Sequence, residues 1–306
     1  MPSLVIGLVL MFSMDFFKSY RQKILIGTDD VRYADMFLIS LIRNAFNMVL
    51  PARTGELSYI YVLRKKFKIP VEIGVSTLMI GLIFELIIVF CIAIISIIII
   101  GINIYSISYT SVIIIASILL AASLLLLIFL SKFIGLFIKT GGYLLKKFPG
   151  LNNSKIFTNL YKKIIETNKS VELIQKRKIY WKVFLLSVTT RVIKFTSYYF
   201  LIHAYLKPLG YDFANLPLWT ILLATIAAEL SAVLPTHSIA GLGTYEAAFV
   251  FAIVALGFPN EQDAIIAGFN YHIINLIFTI IWGIVAVLII VMPFYKIRKN
   301  LPSNHV

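Results

Sequence analysis

Four stretches of the chain, residues 73–100, 112–138, 183–206 and 264–292, are apolar over most of their length. About 20 predominantly apolar residues cross a hydrocarbon core as a helix, so each predicts one full span. Residues 4–17 are also apolar but run into Asp15, Lys18, Arg21 and Lys23, which predicts either a short fifth span ending at the interface or the remainder of one. Two further regions, 34–63 and 213–258, are apolar yet broken near their centres. Val49-Leu50-Pro51 is followed by Gly55-Glu56 in the first, and Val233-Leu234-Pro235 by Gly241, Gly243 and Glu246 in the second. The stretch 153–178 differs again: Phe157, Leu160, Tyr161, Ile164, Val171 and Ile174 recur at roughly helical spacing among lysines. It predicts a basic amphipathic helix, either lying on an anionic membrane surface through Lys162, Lys163, Lys176, Arg177 and Lys178 or serving as an ordinary solvated connector.

Composition turns these segments into a class. The 306 residues are 60% hydrophobic and 14% charged, with a mean hydropathy of +0.93, which excludes a soluble domain. A net charge of +14 would suit nucleic acid on a polar fold, but there is no long polar domain to carry it. The charge instead orients the chain, because Lys- and Arg-rich loops stay cytoplasmic. The most basic stretch, 139–182, is therefore placed inside, and 64–68 and 296–299 fall on the same side. Loops 207–212 and 259–263 hold only Lys207 between them and fall outside.

With that orientation, 34–63 enters and leaves by the cytoplasmic face and 213–258 by the external one. Non-helical backbone at membrane depth needs cover from protein or a water-filled cavity. The expectation is an all-α polytopic membrane protein with about five full spans and two oppositely oriented re-entrant hairpins, forming an inverted repeat around a midplane site. Residues 1–138 make the first half, 139–182 a cytoplasmic linker and 183–306 the second half of a single domain. The Pro-to-Glu spacing differs between the two breaks, so the hairpins are not expected to superpose in detail.

Ionisable residues at membrane depth are functional candidates. Arg53 precedes a helix expected to begin near Thr54, so a guanidinium and unpaired backbone N–H groups would face one point, a combination suited to phosphate. Pairing with Glu56 or reaching to headgroups are the alternatives. Arg43 is a further cation of that hairpin, with Asn44 and Asn47 one turn apart on the incoming helix; Asn47 and Gly55 complete that side, and Gly241, Gly243 and Thr244 form a second anion-binding turn. Glu56, Glu85, Glu229, His237, Glu246, Tyr271 and His272 are the candidate partners for a cationic group or a proton, although Glu56 and Glu246 also suit the first turn of a helix as caps. Glu85 lies mid-span and needs a partner, with Arg53, Arg191, Lys194 and His272 available. Arg191 and Lys194 share a face and either line the same cavity or reach the interface.

Cys91 is the lone cysteine, four histidines are scattered, and neither a Gly-x-Ser-x-Gly nor a His-Glu-x-x-His pattern occurs. No catalytic residue, metal site or cofactor is expected.

Four patches resemble the flippase-like transmembrane domain of lysylphosphatidylglycerol synthases, the multiple peptide resistance factors. They are Lys18-Ser19-Tyr20-Arg21-Gln22-Lys23, the stretch from Asn47 through Pro51, Arg53, Gly55 and Glu56, the stretch from Leu234 through Gly241-Leu242-Gly243 to Glu246 and Ala247, and Tyr271-His272. The family pattern has Tyr-Arg at the last patch, Glu-Arg where Gly81-Leu82 stands, and Gly where Ala240 stands. It also has one more helix ahead of Leu4, so a shorter N-terminus is expected. No counterpart of the synthases' soluble aminoacyl-transferase domain lies within 1–306, so the resemblance implies no synthase activity. It implies a lipid flippase-like protein of the cell membrane, with membrane lipids as ligands and a separate synthase or a second copy as a possible partner. A lipid-modifying membrane enzyme with the deep carboxylates as acid and base, and a non-transporting anchor subunit acting through 153–178, are the other readings.

Overall fold

The computed structural model describes residues 1–50, 54–101, 109–148, 154–232 and 239–292. The described residues form helices and no strand. In chain order these are α1 (Pro2–Ile26), α2 (Tyr33–Val49), α3 (Glu56–Phe67), α4 (Val71–Ile100), α5 (Tyr109–Lys147), α6 (Lys155–Lys176), α7 (Tyr180–Leu206), α8 (Leu218–Ser231), α9 (Thr244–Ala255) and α10 (Glu261–Val291). Helices α1, α4, α5 and α10 are long and apolar enough to cross a membrane. At 27 residues α7 has the length as well, but Lys182, Arg191 and Lys194 lower its hydropathy.

Helix α1 does not stop at its first charges. It runs on through Asp15, Lys18 and Arg21 for 25 residues to a left-handed Gly27. The reason is α7, which lies antiparallel along it and supplies polar partners. Ser3 Oγ and His203 Nδ1 are 2.9 Å apart, Ser197 Oγ donates to Gly7 O at 2.7 Å, and Arg21 Nη1 donates to Ser187 Oγ at 2.9 Å.

Two series of helices repeat in order and length. Helices α1 to α4 have 25, 17, 12 and 30 residues, and α7 to α10 have 27, 14, 12 and 31. Their packing is crossed: α2 lies against α10, the last helix of the other series, and α8 lies against α4. Within each series the two short helices pack on each other, and the second of them on the following long helix. At the first crossing Gly283 of α10 faces Ala45 of α2 so closely that a Cβ on Gly283 would overlap that of Ala45.

Helices α5 and α6 stand apart from this arrangement. Helix α5 packs on α4 and α6 and is kinked at Phe129. The amphipathic α6 buries Val171 and Ile174 against α4 and α5, while Arg177 donates to Ile24 O and Leu25 O at 2.6 and 2.9 Å. Those carbonyls are among the unpaired ones at the end of α1, so Arg177 closes that terminus.

Candidate functional site

A pocket of about 160 Å³ lies where α1, α2, α3, α4, α7, α8 and α9 meet, with Asn275 and Thr279 of α10 also in its wall. Its charged lining is balanced, Lys18, Arg21, Arg43 and Lys194 against Asp15, Glu56, Glu85 and Glu229. On α1 the residues Asp15, Lys18 and Gln22 follow the i, i+3, i+7 spacing that places side chains on one helical face. Gly55 at the start of α3 is pressed against the backbone of α2 at Phe46 and Asn47, which brings Glu56 to the pocket.

Ion pairs link the two series. Glu85 Oε1 accepts from Arg21 at 2.6 Å and Glu85 Oε2 from Arg191 at 2.7 Å, and Arg191 also reaches Glu229 Oε2 at 2.7 Å. Lys194 Nζ lies 2.5 Å from Glu229 Oε1. Arg21 is 1% and Glu85 9% exposed, so each charge depends on its partners rather than on water. At the α2 end Asn47 Nδ2 donates to Glu56 Oε1 at 2.9 Å, and Arg43 Nε stands 3.7 Å from Glu56 Oε2. Beside them Asn44 takes a hydrogen bond from Lys18 at 2.8 Å and gives one to Asp15 at 2.7 Å.

From the pocket wall, Tyr198 and Tyr245 lead to a second buried pair. Tyr245 and Tyr271 hydroxyls are 2.5 Å apart, Tyr245 stacks on His272 with ring centroids 4.3 Å apart, and His272 Nδ1 meets Glu246 Oε1 at 2.7 Å. The other oxygen of Glu246 accepts from Gly243 N at 2.7 Å. Glu246 thus caps α9 and pairs with α10 at once.

The model of the family described as "Lysylphosphatidylglycerol synthase TM region" matches residues 1–283 of the chain. The chain belongs to that family. Membership in the lysylphosphatidylglycerol synthase transmembrane family makes it a membrane protein tied to lipid handling. No curated protein and no solved structure matches it. Gly81 is where Arg21 and Gln22 pack: a Cβ there would lie 3.2 Å from the Gln22 amide nitrogen and 3.6 Å from Arg21 Nη2.

The site residues expected from sequence are placed differently from one another. Asn47, Glu56, Glu85 and Glu229 line the pocket, and Glu246, Tyr271 and His272 form the polar cluster beside it. Gly241 and Gly243 take positive φ of 71° and 88° in the turn before α9, where Thr244 Oγ1 donates to Gly241 O at 3.2 Å, while Thr54 is exposed ahead of α3. Arg53 and His237 lie outside the described residues. Of the surface cations, Lys163 pairs with Glu72 at the start of α4 and with Glu166 at 3.0 Å. Its hydrogen bond holds the Glu166 carboxyl below the ordinary value. Lys162, Lys176 and Lys178 are exposed.

Sequence reading missed Asp15, Lys18 and Arg21 as site residues, treating them as the interfacial end of a short span. The signal was available in the one-face spacing of Asp15, Lys18 and Gln22, because an interface-seeking cluster has no need of a common face.

Proposed function

We propose that the protein takes the polar headgroup of a phospholipid into the pocket between its two helical series and carries it from one leaflet to the other. The observation that supports this best is the make-up of the pocket wall. Four cations and four carboxylates, drawn from both series, face a common space within helices whose outer surfaces are apolar. A wall of both signs solvates an anionic or zwitterionic headgroup that hydrocarbon would exclude.

The two series are read as an inverted-topology repeat. Their matching lengths and crossed packing support this: α2 on α10 has its mate in α8 on α4, and α3 on α4 has its mate in α9 on α10. Glu85 and Asn275, each the fifteenth residue of its long helix, both reach the pocket. In this reading the α2–α3 and α8–α9 pairs are re-entrant hairpins entering from opposite faces of the cell membrane. The basic stretch 139–182 and the C-terminus then lie on the cytoplasmic side. Rocking one hairpin bundle against the other would expose the site to each leaflet in turn.

Headgroup-labelled lipid in reconstituted vesicles tests this, with an impermeant quencher reporting the outer leaflet. Wild-type protein is expected to exchange label between leaflets faster than empty vesicles do, and Glu229→Gln to slow that exchange about tenfold, the effect of losing roughly 1.4 kcal/mol of charge complementarity. Wild-type vesicles no faster than empty ones, across anionic and zwitterionic lipids, would rule the proposal out.

A further inference from the structure

At the α2–α3 end of the pocket, four buried polar atoms lack a hydrogen-bond partner among the described residues: Arg43 Nε and Nη2, Asn47 Oδ1 and Glu56 Oε2. Arg43 is 2% exposed, so surface water does not supply its partners. Its 3.7 Å separation from Glu56 Oε2 is beyond hydrogen-bonding reach. Buried polar groups are nearly always paired, and a cluster of unpaired ones implies an absent ligand or water. The mixture of atoms is specific: two donors on one guanidinium stand beside two acceptors, one on an amide and one on a carboxylate.

A guanidinium offering two N–H groups suits a phosphate oxygen pair. The adjoining acceptors call for a donor close to that phosphate, as a primary ammonium or a hydroxyl provides. A quaternary ammonium has no N–H or O–H and would leave both acceptors unpaired. Its usual compensation, the face of an aromatic ring, is taken at this end, where Arg43 itself lies over the Tyr59 ring at 5.5 Å, and across the pocket, where Lys194 lies over the Tyr198 ring at 5.4 Å and Tyr245 stacks on His272. Resting on the proposal that the pocket holds a lipid headgroup, we infer that this end is a subsite for a phosphodiester with a neighbouring hydrogen-bond donor, and that it selects against choline headgroups.

The test is native mass spectrometry of the purified protein with chain-matched phosphatidylethanolamine and phosphatidylcholine at equal concentration. A second arm has water-soluble glycerophosphoethanolamine and glycerophosphocholine compete for the same site. The ethanolamine lipid is expected to be retained about tenfold more than the choline lipid, because a site built for hydrogen bonds rejects an analogue lacking them. Discrimination in the lipid arm alone assigns the subsite to a membrane lipid, and discrimination in both arms assigns it to the headgroup itself; either supports the inference. Asn47→Leu should bring the two lipids closer to equal retention, and Arg43→Gln should weaken both. Equal retention of both lipids by the wild type would overturn the subsite while leaving lipid binding intact, whereas retention of neither would overturn the lipid reading as well.

Discussion

Glu85 holds two guanidiniums, one through each oxygen, and all three side chains are buried. Glu85→Gln removes the charge and leaves Arg21 and Arg191 to share what remains. Breaking a buried pair this way costs about 3–5 kcal/mol, so thermal unfolding in detergent should shift well below wild type. Because both partners act through one carboxylate, Arg21→Gln combined with Glu85→Gln should cost less than the two separate losses added. A second residue works in the opposite direction. Ala240 sits at φ 57°, a region that costs an L-residue about 1–2 kcal/mol. Ala240→Gly relieves that strain and loses part of the gain to greater freedom in the unfolded chain, giving a net stabilisation of about 0.5–1 kcal/mol. A raised unfolding midpoint with an unchanged far-ultraviolet helix signal would show it, and a lowered midpoint would refute the strain argument.

Among elements, the crossing of α2 with α10 is sensitive to shape. Gly283→Val places a branched side chain where Ala45 already stands, and the overlap is carbon against a short side chain on a helix, with little to give. Overpacking costs about 1–3 kcal/mol, and the larger figure applies when helices must separate. Cysteines introduced at Ala45 and at a neighbour of Gly283 should cross-link in the wild-type background and lose that cross-link in Gly283→Val. Arg177, the residue just past α6, offers the milder counterpart: Arg177→Ala leaves the carbonyls of Ile24 and Leu25 without their donor. Losing hydrogen bonds of this kind costs about 1 kcal/mol, and the local effect should appear as faster amide exchange in the last turn of α1 with the rest of the helix unaffected.

For the whole molecule, the parts readable in the sequence were those written in local pattern. The apolar runs at 73–100, 112–138 and 264–292 carry their helices in composition alone, and the breaks around Gly55 and Gly243 announced the short helices α3 and α9. Hidden were relations between residues far apart in the chain. Asp15, Lys18 and Arg21 look interfacial until α7 is brought alongside, and α7 comes some 160 residues later. Of the four partners weighed for Glu85, Arg191 is one that the fold supplies, and Arg21 was not among them, because charge pairing across a bundle leaves no mark in either helix by itself. In α6 likewise, Val171 and Ile174 meet α4 and α5, contacts that its own periodicity permits but does not specify.

The crossed packing bears on how the molecule is made. Helix α2 emerges early in synthesis, yet its seat is on α10, the last helix described, and α4 meets α8 only after α5, α6 and α7 have been laid down. The first series therefore stays unfinished while nearly the whole chain is translated, with the charges of Arg43 and Asp15 waiting for surroundings that do not yet exist. Such late, long-range closure is slow and leaves partly assembled chains exposed. Truncation before α10 should leave α2 accessible to protease in the membrane, and supplying the second series as a separate polypeptide should restore its protection.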